Sequence, residues 1–176
     1  MPNEPLNVRI AGPDDVAVLS AVGSGVFWDA YGGTAPDADI ASHVESNFSE
    51  DAVAAAIARN DVTYLMAVEG ERCAGLIKIL DGDVPALVSA DSSVEVQQLY
   101  VSTEFQRRGI GALLIDHAVA VTRERNIAGI WLSCWTQADW AMSFYLKYGF
   151  KSLGKIPFRL ADTDYIDNLM WFPVGE

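Results

Sequence analysis

One stretch constrains the fold more than any other: an apolar strand pattern that runs straight into a glycine loop and then a helix. Residues 93–102 are rich in Val, Leu and Tyr, and Gln106-Arg107-Arg108-Gly109-Ile110-Gly111 follows shortly after. Ile110, Leu113, Leu114, Ala118 and Val121 then recur at helical spacing to about Arg125. Glycines let a backbone approach a ligand closely, and the free N–H groups of a first helical turn point outward. Together with the helix dipole they form an anion site suited to a phosphate or pyrophosphate. Arg107 and Arg108 stand in this loop, in a chain with 12 Lys plus Arg against 24 Asp plus Glu. The loop is not a P-loop, which requires Gly-Lys-Ser/Thr. Nor is it a dinucleotide fingerprint, which requires a third Gly where Leu114 stands.

The remaining chain alternates strand and helix patterns. Residues 7–10 form a strand candidate, and Gly12-Pro13-Asp14-Asp15 reads as a helix start. Val16, Leu19, Val22 and Val26 follow at helical spacing, with Gly23 and Gly25 weakening the helix end and Gly32-Gly33 breaking it. Residues 37–48 and 49–59 read as two short helices, the second capped by Ser49. A hairpin over 62–68 and 73–80 turns at Gly70-Glu71, and 81–93 is loop-like. A strand at 129–134, a helix at 138–148 stopped by Gly149, and strands at 151–160 and 165–172 complete the chain. Its 176 residues suit one mixed α/β domain over 1–176, since no repeat or Pro/Ser linker divides them.

Composition excludes some partners. A net charge of −12 opposes nucleic acid and anionic membranes, both of which need a basic footprint. No apolar run of spanning length exists, and residues 1–6 lack the basic start and apolar core of a signal peptide. A cytoplasmic protein is therefore expected. Cys73 and Cys134 fit no metal or redox spacing, so no metal is expected.

Two segments carry a family resemblance. Glu95-Val96-Gln97-Gln98-Leu99-Tyr100-Val101, followed by Gln106 to Gly111, resembles the cofactor strand and loop of the GNAT superfamily of acetyl-CoA-dependent N-acetyltransferases. Ala141, Phe144, Tyr145, Lys147, Gly149 and Phe150 match that family's Ala-x-x-Phe-Tyr-x-Lys-x-Gly-Phe element. More narrowly, the opening helices, hairpin and tail resemble bacterial spermidine/spermine N-acetyltransferases. Two acids and Met170 of the stretch 161–170 match that tail, with Tyr165-Ile166 in place of its Gln-Thr. The resemblance implies a central, mostly antiparallel sheet flanked by helices and splayed at the cofactor site. It also implies acetyl-CoA as cosubstrate, and often a homodimer.

Site roles follow from the same resemblance. Gln106, Arg107, Arg108, Gly109, Ile110, Gly111 and Ala112 would surround the pyrophosphate, chiefly through backbone amides. The main chain of Leu99, Tyr100 and Val101 would hold the pantetheine arm and thioester. A bulge there would part this strand from 130–134 and turn the Leu99 amide toward the developing oxyanion. Glu95 matches a catalytic Glu of some members. By strand alternation it lies on the same nominal face as Leu99, and it is the general-base candidate. Tyr145 matches the family's general acid beside the cofactor sulfur. It lies off the stripe of Trp140, Phe144 and Tyr148, which reads as core. Trp28, Asp29 and Tyr31 fall where the first helices cover the acceptor groove. With Asp164 and Asp167 they are the acceptor candidates: carboxylates to pair an ammonium and rings to attract it. His43 and His117 read as structural or exposed. Ser133 and Cys134 have no base arrangement for acyl-enzyme chemistry.

The expected reaction is acetyl transfer from acetyl-CoA to a primary amine of a small molecule, with polyamines first among candidates. One alternative is the same chemistry on a protein N-terminus or lysine, which an open groove would favour. The other is a catalytically silent CoA-sensing domain, against which intact Gln106, Gly109, Gly111 and Tyr145 speak. Charge placement bears on this choice. Residues 12–61 carry 9 acids and 1 base, whereas 94–128 carry 4 acids and 4 arginines. The acidity is concentrated on the half expected to meet a cationic amine.

Overall fold

The computed structural model describes residues 5–160 and 162–175. Most of the segment read as lacking a signal peptide, and Ala161 of the tail, lie outside them. Strands β1 (Leu6–Ile10), β2 (Val62–Glu69), β3 (Arg72–Gly82), β4 (Ser93–Val101), β5 (Gly129–Trp135), β6 (Lys151–Leu160) and β7 (Thr163–Pro173) form one sheet. Their order is β1-β2-β3-β4-β5-β7-β6. Neighbours are antiparallel except β4 and β5, which run parallel.

Helices cover both faces, so the central strands are apolar on both sides. Helices α4 (Ile110–Glu124) and α5 (Asp139–Tyr148) pack through Leu114, Ile115 and Ala141 onto Ile77, Ile79, Val96 and Leu132. On the other face, α1 (Val16–Tyr31) and α3 (Glu50–Ile57) set Leu19 and Val53 against Tyr64, Met66 and Leu76. Helix α2 (Asp37–Phe48) joins a third cluster, where Ile40 and Phe48 meet Phe27 and Leu160. The mixed α/β sheet flanked by helices agrees with the expected fold class. Among the described residues no helix is long and apolar enough to cross a membrane.

Helix α1 corrects the expectation that Gly23 and Gly25 mark its weakening end. It runs unbroken through both to a stop at Gly32. Gly23 serves close packing: a Cβ there would lie 2.5 Å from Cδ1 of Phe48. The Ser20 hydroxyl adds a hydrogen bond to the Phe48 carbonyl at 2.5 Å. Gly23→Ala is therefore expected to destabilise the fold by about 1–3 kcal/mol through overpacking. Urea unfolding should show a lower midpoint at unchanged slope. An unchanged midpoint would mean that the Phe48 ring gives way freely.

One member of the aromatic stripe on α5 is also corrected. Trp140 is 63% exposed, because α5 rests on the sheet through the small side chains of Ala138 and Ala141. Phe144, which covers Gly111, and Tyr148, on Phe150 and Phe172, do pack against the core as expected.

Two irregularities in β4 shape the centre of the molecule. Its parallel pairing with β5 is confined to Val94 with Ile130 and Glu95 with Trp131, after which the strands part. Toward β3 the register slips: Lys78 faces Gln98 but Ile79 faces Val96, which leaves Gln97 as the extra residue of a bulge. The bulge thus precedes Leu99, and it reverses the side-chain alternation. Glu95 stands opposite Leu80 and Leu99 opposite Ile77. Those partners are three residues apart on β3, so Glu95 and Leu99 lie on opposite faces. The same-face expectation for this pair fails because it assumed an unbroken period of two.

Candidate active site

Where β4 and β5 part, a cavity of about 280 Å³ opens. Both faces of the sheet line it. Leu99, Cys134 and Tyr145 come from the α4/α5 side. Glu95, Gln98, Tyr100, Ser133, Trp135 and Asp167 come from the α1/α2 side.

On the first side, Tyr145 is held between the rings of Phe144 and Phe150, at 5.2 and 5.6 Å between centroids. Burial pushes its phenol far above the ordinary range, with Cys134 and Tyr31 adding to the shift. The hydroxyl therefore keeps its proton at neutral pH and can only donate it to a stronger base. Cys134 is pushed up to about 11, mainly by burial and further by Asp167. It remains a thiol at neutral pH.

The loop before α4 takes the shape its sequence calls for. Gln106 donates from its side chain to the Val101 carbonyl at 3.2 Å, closing the loop onto the end of β4. Arg107 and Gly109 both have positive φ, 61° and 79°. Gly109 caps α4, whose first backbone bond runs from Leu113 to the Gly109 carbonyl at 3.0 Å. The amides of Ile110, Gly111 and Ala112 precede that bond and have no helical acceptor. Arg108 is engaged elsewhere: it pairs with Glu69 at 2.5 Å and lies over the Phe105 ring. The outward backbone amides and exposed Arg107 remain, and they could receive an anion such as a pyrophosphate.

On the second side, the Gln97 amide donates to Glu95 at 3.1 Å. Burial raises the Glu95 carboxyl above its usual value, opposed by that bond and by Lys78. Asp167 is only 4% exposed. Its carboxyl is also raised by burial, opposed by a hydrogen bond from Ser133, and its Oδ1 has no partner. No Lys or Arg lines the cavity among the described residues. Tyr31 reaches in from α1, with its phenol pushed up to about 12 by burial.

Three acceptor candidates lie elsewhere. Phe27 and Tyr31 are one helical turn apart on the inward side of α1, which turns the intervening Trp28 and Asp29 away. Asp29 accepts a hydrogen bond from the Thr103 hydroxyl at 3.0 Å, outside the cavity. Asp164 pairs with Arg159 at 2.9 Å. Strand alternation separates it from Asp167, three residues on. His43, expected to be structural or exposed, stacks on Phe27 at 4.5 Å and contributes to the cavity wall. Sequence reasoning missed Trp135, Tyr165, Gln98 and Ser133 as cavity residues. Their positions come from long-range register, such as Trp135 opposite Asp167, for which no local signal exists.

Comparison with known proteins agrees with this architecture. The acetyltransferase (GNAT) family model matches residues 27–150. An uncharacterized N-acetyltransferase of Lactobacillus delbrueckii subsp. lactis is 27% identical over 157 residues, 89% of this chain and 90% of that protein. The PaiA N-acetyltransferase of Thermoplasma acidophilum, solved with coenzyme A, superposes with a TM-score of 0.78 at 23% identity, over 96% of this chain and 99% of the other. Arabidopsis thaliana NAA60, solved with acetyl-CoA, gives 0.75 at 14% identity, over 96% and 98%. The chain belongs to the GNAT acetyltransferase family. It is accordingly an acyltransferase with acetyl-CoA as its cosubstrate.

Proposed function

We propose that the protein acetylates a primary amine of a small cationic molecule, with polyamines such as spermidine or spermine the leading acceptors. One observation carries the reading. The cavity at the β4–β5 parting has two carboxylates, half-buried Glu95 and buried Asp167, on one face and the Leu99 and Tyr145 positions on the other. Donor and acceptor thus have separate approaches to one point.

Each step of an acyl transfer then has a group. Amides from Arg107 to Ala112 hold the pyrophosphate of acetyl-CoA, and Leu99 to Val101 hold the arm that bears the thioester. The Leu99 amide stabilises charge developing on the carbonyl oxygen. Glu95 takes a proton from the attacking ammonium, directly or through a water, because an amine of pKa near 10 is mostly protonated at neutral pH. Tyr145 returns a proton to the leaving sulfur.

The acceptor side favours a small molecule over a folded protein. Leu160 of β6 packs against Phe27, Ile40 and Phe48, so the β6–β7 hairpin and the α1–α2 pair meet over the cavity. A volume near the low end of small-ligand pockets agrees with this. A thiol-release assay with acetyl-CoA across spermidine, spermine, aminoglycosides and amino acids tests the reading. Release should be fastest with the polyamines. Tight coenzyme A binding without release from any amine would favour a sensor instead.

Charge adds a separate expectation. If the acidic 12–61 segment recruits the acceptor, KM for spermidine rises severalfold from low salt to about 1 M, where the screening length shrinks to about 3 Å. A salt-independent KM would remove recruitment from the account.

A further inference from the structure

The Asp167 environment is more specific than one ammonium requires. Glu95 already supplies a carboxylate for the reacting nitrogen. Asp167 is a second one, buried, with Oδ1 unpartnered and the carboxylate steadied by Ser133. Rings surround it. Trp135 is its register partner on β5, and Tyr165 lies two residues before it on the same face of β7. Trp135 and Tyr165 meet edge to face at 6.3 Å. Tyr31 stands 6.3 Å from Trp135 and 6.4 Å from the exposed Trp140.

A buried carboxylate oxygen without a donor carries the desolvation penalty of a polar group taken out of water. Nothing in the fold offsets this: no Lys or Arg lines the cavity among the described residues. A cation brought by the substrate would offset it. The carboxylate supplies the charge, and the ring faces attract an alkylammonium through their quadrupoles.

We propose that Asp167, with Trp135, Tyr165 and Tyr31, forms a second cation subsite that selects acceptors carrying two ammonium groups. One nitrogen sits at Glu95 and reacts, while the other is held in the aromatic box. This rests on the transferase reading above and names the acceptor class as diamines and their longer homologues. Asp167 is thus a specificity residue, and Glu95 keeps the proton-transfer role.

The test compares putrescine with butylamine, which has the same carbon chain and one nitrogen fewer. In the wild-type protein kcat/KM should favour putrescine. Asp167→Asn should cut the putrescine-to-butylamine ratio by about 10- to 100-fold, the range of one hydrogen bond to a charged group. Tyr165→Leu should cut it by about 3-fold, and it keeps the test open if Asp167→Asn folds poorly. Calorimetric titration of putrescine into the coenzyme A-loaded protein gives a readout independent of turnover, and the same variants should weaken that binding. An unchanged ratio and unchanged binding in both variants would overturn the subsite. So would an Asp167→Asn effect equal for both amines, with the pH profile of kcat altered, which would make Asp167 the base. If no amine is acetylated yet putrescine binding depends on Asp167, the transferase reading fails and the subsite stands. If both amines react equally and neither variant changes that, the reverse holds.

Discussion

Replacing Tyr145 with Phe lowers kcat by about 10²-fold, at the modest end of what a positioned proton donor contributes. The affinity for coenzyme A stays near the wild-type value. The substitution removes one hydroxyl and keeps the ring that packs between Phe144 and Phe150. Burial keeps that hydroxyl protonated, so it is available whenever sulfur leaves. In the proposed arrangement cofactor affinity rests on other groups, the amides ahead of Leu113 and the main chain at Leu99 to Val101. Steady-state kcat with calorimetric binding of coenzyme A separates the two effects. Unchanged turnover would remove the acid role, and a parallel loss of affinity would make Tyr145 a packing residue.

Glu95→Gln is the second large effect, and pH gives it a signature. At pH 6 to 7 nearly every acceptor amine carries its extra proton, and the loss in kcat/KM should reach about 10²-fold. Toward pH 10 the amine deprotonates unaided and the loss should shrink. The sign follows from the carboxyl itself. Burial raises its pKa, and a base works only when ionised. The wild-type acid limb therefore falls as pH drops through a value above the ordinary carboxylate range. Gln keeps the size and a hydrogen-bonding group near Gln97 but cannot take the proton. A loss of equal size at every pH would assign Glu95 to positioning.

The line between legible and hidden features follows physical range. Gly109 could be read locally, because a strand-to-helix turn with positive φ favours a residue without Cβ, and the loop forms as expected. Tyr145 could be read from its motif and stands in the cavity. The family resemblance puts Trp28 and Asp29 at the acceptor groove beside Tyr31, but helical rotation gives the inward positions to Phe27 and Tyr31. Glu95 lies in the cavity as expected, yet on the face opposite Leu99. One bulge residue, Gln97, causes that reversal, and a bulge has no reliable signature in a single sequence. Gly23 reads as a weak point of the helix in sequence because its partner Phe48 is far away in the chain. The ring cluster of Tyr31, Trp135 and Tyr165 was least visible of all, since it joins α1, β5 and β7 across long separations in sequence.

In the proposed reaction the thioester and the acceptor amine reach the β4–β5 parting from opposite faces of the sheet. A crystal structure of the protein with coenzyme A and spermidine tests it most directly. The expected result places the sulfur beside Tyr145 on the α4/α5 side and spermidine on the α1/α2 side, its nitrogens at Glu95 and Asp167. Spermidine bound outside the cavity, or on the same face as the sulfur with Glu95 remote from every nitrogen, would contradict it.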